Sequence, residues 1–129
     1  MTNKEKIRKV LLVEPEKKPR VVEIDDTLEA LQELVGGYIE AIYPFEDEVA
    51  LICNEEGKIT GLPLNRALYS YEGEMYEIIA GNFFIIGAPE DSEDFTSLTE
   101  EQIEKYTEYF KVIEVYTQTQ FGLVVEQRI

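Results

Sequence analysis

Residues 34–68, LVGGYIEAIYPFEDEVALICNEEGKITGLPLNRAL, decide the fold, because most of the chain's turn chemistry and much of its apolar pattern fall within them. Gly36 and Gly37 follow the apolar end of a helical pattern, where a left-handed residue closes a helix without a Cβ penalty. The run Tyr38, Ile39, Ala41, Ile42 and Tyr43 reads as a strand that stops at Pro44, which has no N–H to give a sheet ladder. After the acids Glu46, Asp47 and Glu48, residues Val49 to Cys53 read as a buried strand. Asn54-Glu55-Glu56-Gly57 carries Asn and Gly at the first and last positions a type I turn favours, with Gly57 free to take positive φ. A hairpin with its tip at Glu55 and Glu56 is therefore expected, its returning strand ending at Gly61. Pro63 suits the first position of a helix and predicts a short one through Leu64, Asn65, Arg66, Ala67 and Leu68.

Towards the N-terminus, IRKVLLV (7–13) and RVVEI (20–24) flank a polar, proline-containing loop and should pair as a hairpin. Asp26 is placed to cap the next helix, with Glu29 in capping-box position and Leu28, Leu31, Leu34 and Val35 on one face. Towards the C-terminus, YSYEGEMYE is a polar loop or tight hairpin, followed by strands at 77–80 and 82–86. NFFII, with four consecutive apolar residues, has the pattern of a central strand covered on both faces. Thr99 with Gln102 forms a capping box, Leu98 and Ile103 a hydrophobic staple, and Ile103, Tyr106 and Phe110 an apolar stripe. Beyond Val112, β-branched and aromatic residues predict one or two strands around Gly122. The expected fold is a single α+β domain over residues 1–129, mainly antiparallel sheet with two main helices on one face. The opening ββα-β order is that of a β-grasp start.

At 129 residues with 44% hydrophobic content, the chain has room for one core of ordinary domain size. Residues 1–20 hold seven Lys or Arg against three Glu, a surplus of +4, so the net charge of −15 leaves −19 on residues 21–129. Such a surface repels nucleic-acid phosphate and anionic lipid, and it favours basic partners, although solubility alone would also account for it. No window reaches a membrane span and no signal-type leader is seen, so a cytoplasmic protein without membrane or direct nucleic-acid binding is expected. The lone Cys53 reads as a small core residue rather than a reactive thiol. The chain has no histidine, which removes Ser-His-Asp and Cys-His nucleophiles and nearly every zinc site. Neither phosphate-loop pattern occurs, and the acidic stretch 88–95 lacks calcium-loop spacing; no catalytic residue, metal or cofactor is expected.

Two binding constellations stand out. Arg66, the only basic residue between Lys58 and Lys105, lies beside Asn65 and could present a planar fork and an amide to a carboxylate or phosphate, with Asn54 joining them if hairpin and short helix fold together. The competing reading is an internal ion pair for Arg66 and a turn-opening role for Asn54. The second constellation is the tyrosines: Tyr69, Tyr71, Tyr76, Tyr106, Tyr109 and Tyr116 lie in or near polar sequence, as suits a protein-binding face, with partial burial at the domain edge as the alternative.

The segments VEPEKKPRVVEI, LQELVGGYIEAIYPF, NEEGKITGLPLNRAL and IIAGNFFIIG together resemble the bacterial and phage domain-of-unknown-function family numbered thirty-eight forty-six. The resemblance covers residues 8–110 and leaves 112–129 as a C-terminal strand extension. It implies an accessory or counter-defence protein of mobile elements and supplies no catalytic residues. The expected function is a non-enzymatic acidic module that binds a basic protein partner. The alternatives are a small-ligand or enzymatic domain centred on Asn54, Asn65 and Arg66, and a DNA mimic whose acids imitate phosphate spacing.

Overall fold

The structure, a computed structural model, describes residues 6–129. Five strands build the main sheet in the order β2-β1-β7-β4-β3, where β1 is Ile7–Val13, β2 Arg20–Asp25, β3 Ile39–Ile42, β4 Val49–Asn54 and β7 Phe83–Gly87. Every pairing in it is antiparallel. The α+β class, the opening hairpin and the central place of the NFFII strand are as expected. The β-grasp order is not: β1 runs antiparallel to both of its neighbours, where that fold sets its first and last strands parallel at the centre.

Apolar residues alternate between the two faces of this sheet, and each face has its own cover. Leu11, Val13, Leu51, Phe83 and Ile85 point to one side, against Tyr106 and Phe110 of α2 (Glu100–Tyr109 and its cap) and against Leu68 and Ile79. Val10, Leu12, Ile52, Phe84 and Ile86 point to the other, against Leu31 and Val35 of α1 (Leu28–Val35). The helices therefore lie on opposite faces, which corrects the one-face arrangement. A sheet whose inner strands are apolar on both sides would leave one side wet if both helices shared the other.

Each helix begins and ends with identifiable chemistry. Thr27, rather than Asp26, caps α1, its hydroxyl accepting from the Ala30 amide, while Asp26 lies 3.3 Å from the Arg8 guanidinium. Gly36 closes α1 in the left-handed conformation at φ 79°. At α2 the Thr99–Gln102 capping box is complete in both directions.

The stretch after β4 departs from expectation. Asn54 does open a turn, with its side-chain oxygen accepting from the Glu56 amide, but no returning strand follows; residues 55–61 are consecutive turns. Gly57 is required by close approach rather than positive φ, since a Cβ there would stand 2.8 Å from the Ala80 carbonyl oxygen. Residues 64–68 are not a helix. They form β5 (Leu64–Tyr69), paired with β6 (Met75–Ala80) in a separate hairpin. Its ladder skips Asn65 between Leu64 and Arg66, so one residue bulges. The bulge breaks strict alternation, which explains both the helix-like spacing of Leu64, Ala67 and Leu68 and the burial of consecutive Asn65 and Arg66. The chain closes with the β8 (Ile113–Thr119) and β9 (Gly122–Arg128) hairpin.

Candidate functional site

Arg66 is 2% exposed and points inward. Its Nε and Nη2 donate to the Phe110 carbonyl at 3.2 and 3.1 Å, Nη2 also to the Lys17 carbonyl at 2.8 Å, and Nη1 to Asn65 Oδ1 at 2.9 Å. Phe110 caps the C-terminus of α2, whose last turn contains no basic residue. The guanidinium from β5 thus supplies the cation and the donors that a helix C-terminus wants. Burial holds the Arg66 pKa below the ordinary arginine value, opposed by the charge of nearby Glu114. The expected internal ion pair is replaced by a set of carbonyl partners, with Glu114 as a neighbouring counter-charge.

Asn65 and Asn54 do similar work. The Asn65 amide donates to the Val13 carbonyl at 2.9 Å and the Gly81 carbonyl at 2.8 Å, tying the end of β1 to the turn before β7. The Asn54 amide donates to the Val35 carbonyl at 3.2 Å, at the C-terminus of α1. The structure does not bring Asn54 to Arg66, and Arg66 lines neither of the two large grooves described next. These side chains satisfy backbone oxygens that would otherwise be buried without donors.

The tyrosines do converge. Tyr69, Tyr71, Tyr76, Tyr109 and Phe45 line a groove of about 790 Å³ between the β5–β6 hairpin, α2 and the loop before β4, with Lys105 at its edge. Tyr76 is there because of a second irregularity in the β5–β6 ladder: Leu68 pairs with Glu77 and Tyr69 with Met75, leaving Tyr76 between them unpaired. Tyr106 lies beneath the groove, fully buried, its ring 4.8 Å from that of Phe45 and its hydroxyl donating to Asp47 Oδ2 at 2.9 Å. Burial first, then the Asp47 carboxylate, raise its pKa far above that of free tyrosine. Tyr109 is half exposed and meets Phe45 edge-on at 5.1 Å. Tyr116 is not part of the groove; its hydroxyl donates to Glu114 Oε1 at 2.6 Å. Glu114, 5% exposed, also accepts from the Ala67 amide at 2.8 Å and reaches the groove from β8. The same carboxylate, after burial, pushes the Tyr69 pKa up.

A second cavity adjoins the first across Phe45 and Glu46. It is a channel of about 960 Å³ lined by Glu46, Asp47, Glu48, Glu90, Glu93 and Asp94 together with Tyr43, Phe95 and neighbours, and no Lys or Arg is among the lining residues. Its two acidic loops meet because Val49 at the start of β4 pairs with Gly87 at the end of β7. Among the described residues no group of three or more Cys, Asp or Glu side chains is placed to hold a metal ion. Cys53 is buried in the sheet, and burial, with Glu40 and Glu77 nearby, pushes its thiol up to about 11. It stays protonated at neutral pH.

Asp47 couples channel and groove. Burial alone would raise its pKa, but hydrogen bonds from the Tyr106 hydroxyl, the Glu48 amide and Gln102, with the Lys105 charge, outweigh that and lower it. A lowered folded-state value adds stability that is fully present above the unfolded pKa, about 3.9, and is lost as pH falls through the folded value. Chemical denaturation at pH 7, 5 and 3 should therefore show wild type more stable than Asp47→Asn at pH 7 and 5, with a narrower gap at pH 3. A gap independent of pH would rule out the charged form as the stabilising one.

Fold and site together define an α+β protein with an antiparallel sheet covered on both faces and an aromatic groove beside an acidic channel. The model of a domain of unknown function, DUF3846, matches residues 7–111, and the chain belongs to that family. The match ends just before β8, so the hairpin that carries Glu114 lies outside it. No curated protein and no solved structure matches. Among the described residues no helix is long and apolar enough to cross a membrane.

Proposed function

We propose that this protein is a non-enzymatic interaction module that binds a basic macromolecular partner across the acidic channel. The observation that carries this reading is the gathering of six carboxylates from two loops on one concavity without a lining cation. Like charges sharing one concavity are tolerated because Asp47 is held by the Tyr106 hydroxyl, Gln102 and Lys105 and the others face water, and a partner's Lys or Arg side chains relieve the repulsion that is left. The buried, protonated thiol and an Arg66 wholly engaged with carbonyls favour binding over chemistry, and a binding module agrees with the accessory role in mobile elements that the family resemblance implies. The same acids disfavour direct contact with nucleic-acid phosphate or an anionic membrane surface.

The test is affinity capture from a host lysate, followed by titration of the captured protein against wild type and a Glu90→Gln, Glu93→Gln, Asp94→Asn variant. From about 0.1 M to about 1 M salt the Debye length shrinks from about 10 Å to about 3 Å. Wild-type affinity should then fall roughly ten-fold or more, and the variant should show a shallower salt dependence. Affinity unmoved by salt, or turnover of metabolites by the purified protein, would overturn the reading.

A further inference from the structure

The channel and the tyrosine groove share an edge but not a charge. The channel has six carboxylates and no lining cation, whereas the groove sets Glu46 and Glu114 against Lys105 at its edge and the Arg66 guanidinium buried close to Glu114. Lys105 is committed on both sides, lying 3.6 Å from Asp47 and over the Tyr106 ring at 5.2 Å. A cation entering the groove would be opposed by Lys105 at its edge and by the Arg66 guanidinium beside Glu114, whereas no Lys or Arg lines the channel. An uncharged apolar or aromatic side chain meets the faces of Tyr69, Tyr76, Tyr109 and Phe45 without that penalty. Rings in offset or edge-on contact also gain more than their buried area alone provides.

We infer that the basic partner is recognised in two parts by one extended segment: an aromatic or large aliphatic side chain seated in the tyrosine groove, next to two or more Lys or Arg residues lying along the acidic channel. This rests on the proposed function and adds to it the identity of the anchor. Phe45 and Glu46, common to both cavities, form the ridge the segment crosses. Because cavities sharing two residues are neighbours, a stretch of about nine residues, extending about 30 Å at about 3.3 Å per residue, covers both. The division of labour follows from the chemistry: the channel speeds encounter and is sensitive to salt, while the groove slows departure and is not.

Synthetic peptides of about nine residues test this, each with three arginines and one phenylalanine, the phenylalanine placed at either end, with Phe→Ala counterparts and an all-glycine-serine control. Fluorescence anisotropy at two salt concentrations is the readout. In at least one orientation the phenylalanine peptide should bind roughly ten-fold or more tightly than its alanine counterpart, as expected for burial of one aromatic side chain. Tyr76→Ala, at the groove's exposed rim, should erase that preference while leaving the salt dependence intact. The Glu90→Gln, Glu93→Gln, Asp94→Asn variant should do the reverse. If arginine peptides bind in a salt-dependent way but phenylalanine confers no advantage in either orientation, the two-part inference fails and the basic-partner reading survives. If Tyr76→Ala leaves the phenylalanine preference intact in a protein with wild-type unfolding behaviour, the groove is not the anchor site and the inference is overturned. If no arginine peptide binds better than the glycine-serine control at low salt, both fall together.

Discussion

Arg66→Ala is expected to destabilise the protein by about 3–5 kcal/mol, measured by urea denaturation at neutral pH. The substitution removes the donors that reach the Phe110 carbonyl, the Lys17 carbonyl and Asn65 Oδ1, all at a residue 2% exposed. Each acceptor left buried without a donor costs about 1–3 kcal/mol, and some will recover water through the cavity. Glu114 also loses its nearest compensating charge while remaining buried. Arg66→Lys should recover only part of the loss, because an ammonium cannot reproduce the planar fork that joins α2, the β1–β2 loop and β5. A loss below about 1 kcal/mol for Arg66→Ala would mean the three segments do not depend on the guanidinium.

This role was half visible in the sequence. A lone arginine amid acids on an otherwise apolar stretch invites an ion pair, and the inward, structural assignment was within reach. The identity of its partners was not, because backbone carbonyls leave no trace in residue type. The same limit applies to Asn54 and Asn65, whose amides also serve backbone oxygens. The bulge at Asn65 explains the misreading of 64–68: local preference for a helix after Pro63 is worth tenths of a kcal/mol per residue, and pairing with β6 overrides it. Where the chemistry is local, as in the Thr99–Gln102 box or Gly36, sequence and structure agree. Where a side chain is claimed from afar, as Asp26 is by Arg8, the cap moves by one residue to Thr27.

For the site, residue types were readable and their assembly was not. Tyr106 and Tyr109 stood out as candidates, yet one lies under the groove and the other on its wall, a distinction set by α2's packing against Phe45. The channel needed the antiparallel pairing of β4 with β7, which alone brings residues 46–48 beside 90–94. That pairing was implicit in two apolar runs, VALIC and NFFII, of the kind that neighbour each other at a sheet's centre.

Those same runs carried the clue to the helix arrangement, and Phe83 and Phe84 offer its direct test. They are consecutive on the central strand, so their side chains leave opposite faces: Phe83 packs with Phe110 at 5.2 Å between ring centroids, and Phe84 with Leu31 and Val35 of α1. Both are fully buried. If both faces are covered, Phe83→Ala and Phe84→Ala should each cost about 3–5 kcal/mol in urea denaturation, the transfer loss plus the cavity each leaves. With both helices on the α2 face, Phe84 would contact solvent and its replacement would cost little. A Phe84→Ala loss below about 1 kcal/mol beside a large Phe83→Ala loss would therefore remove α1 from its face of the sheet. Losses of similar size, in proteins whose denaturant slopes match wild type, place one helix on each side of the sheet.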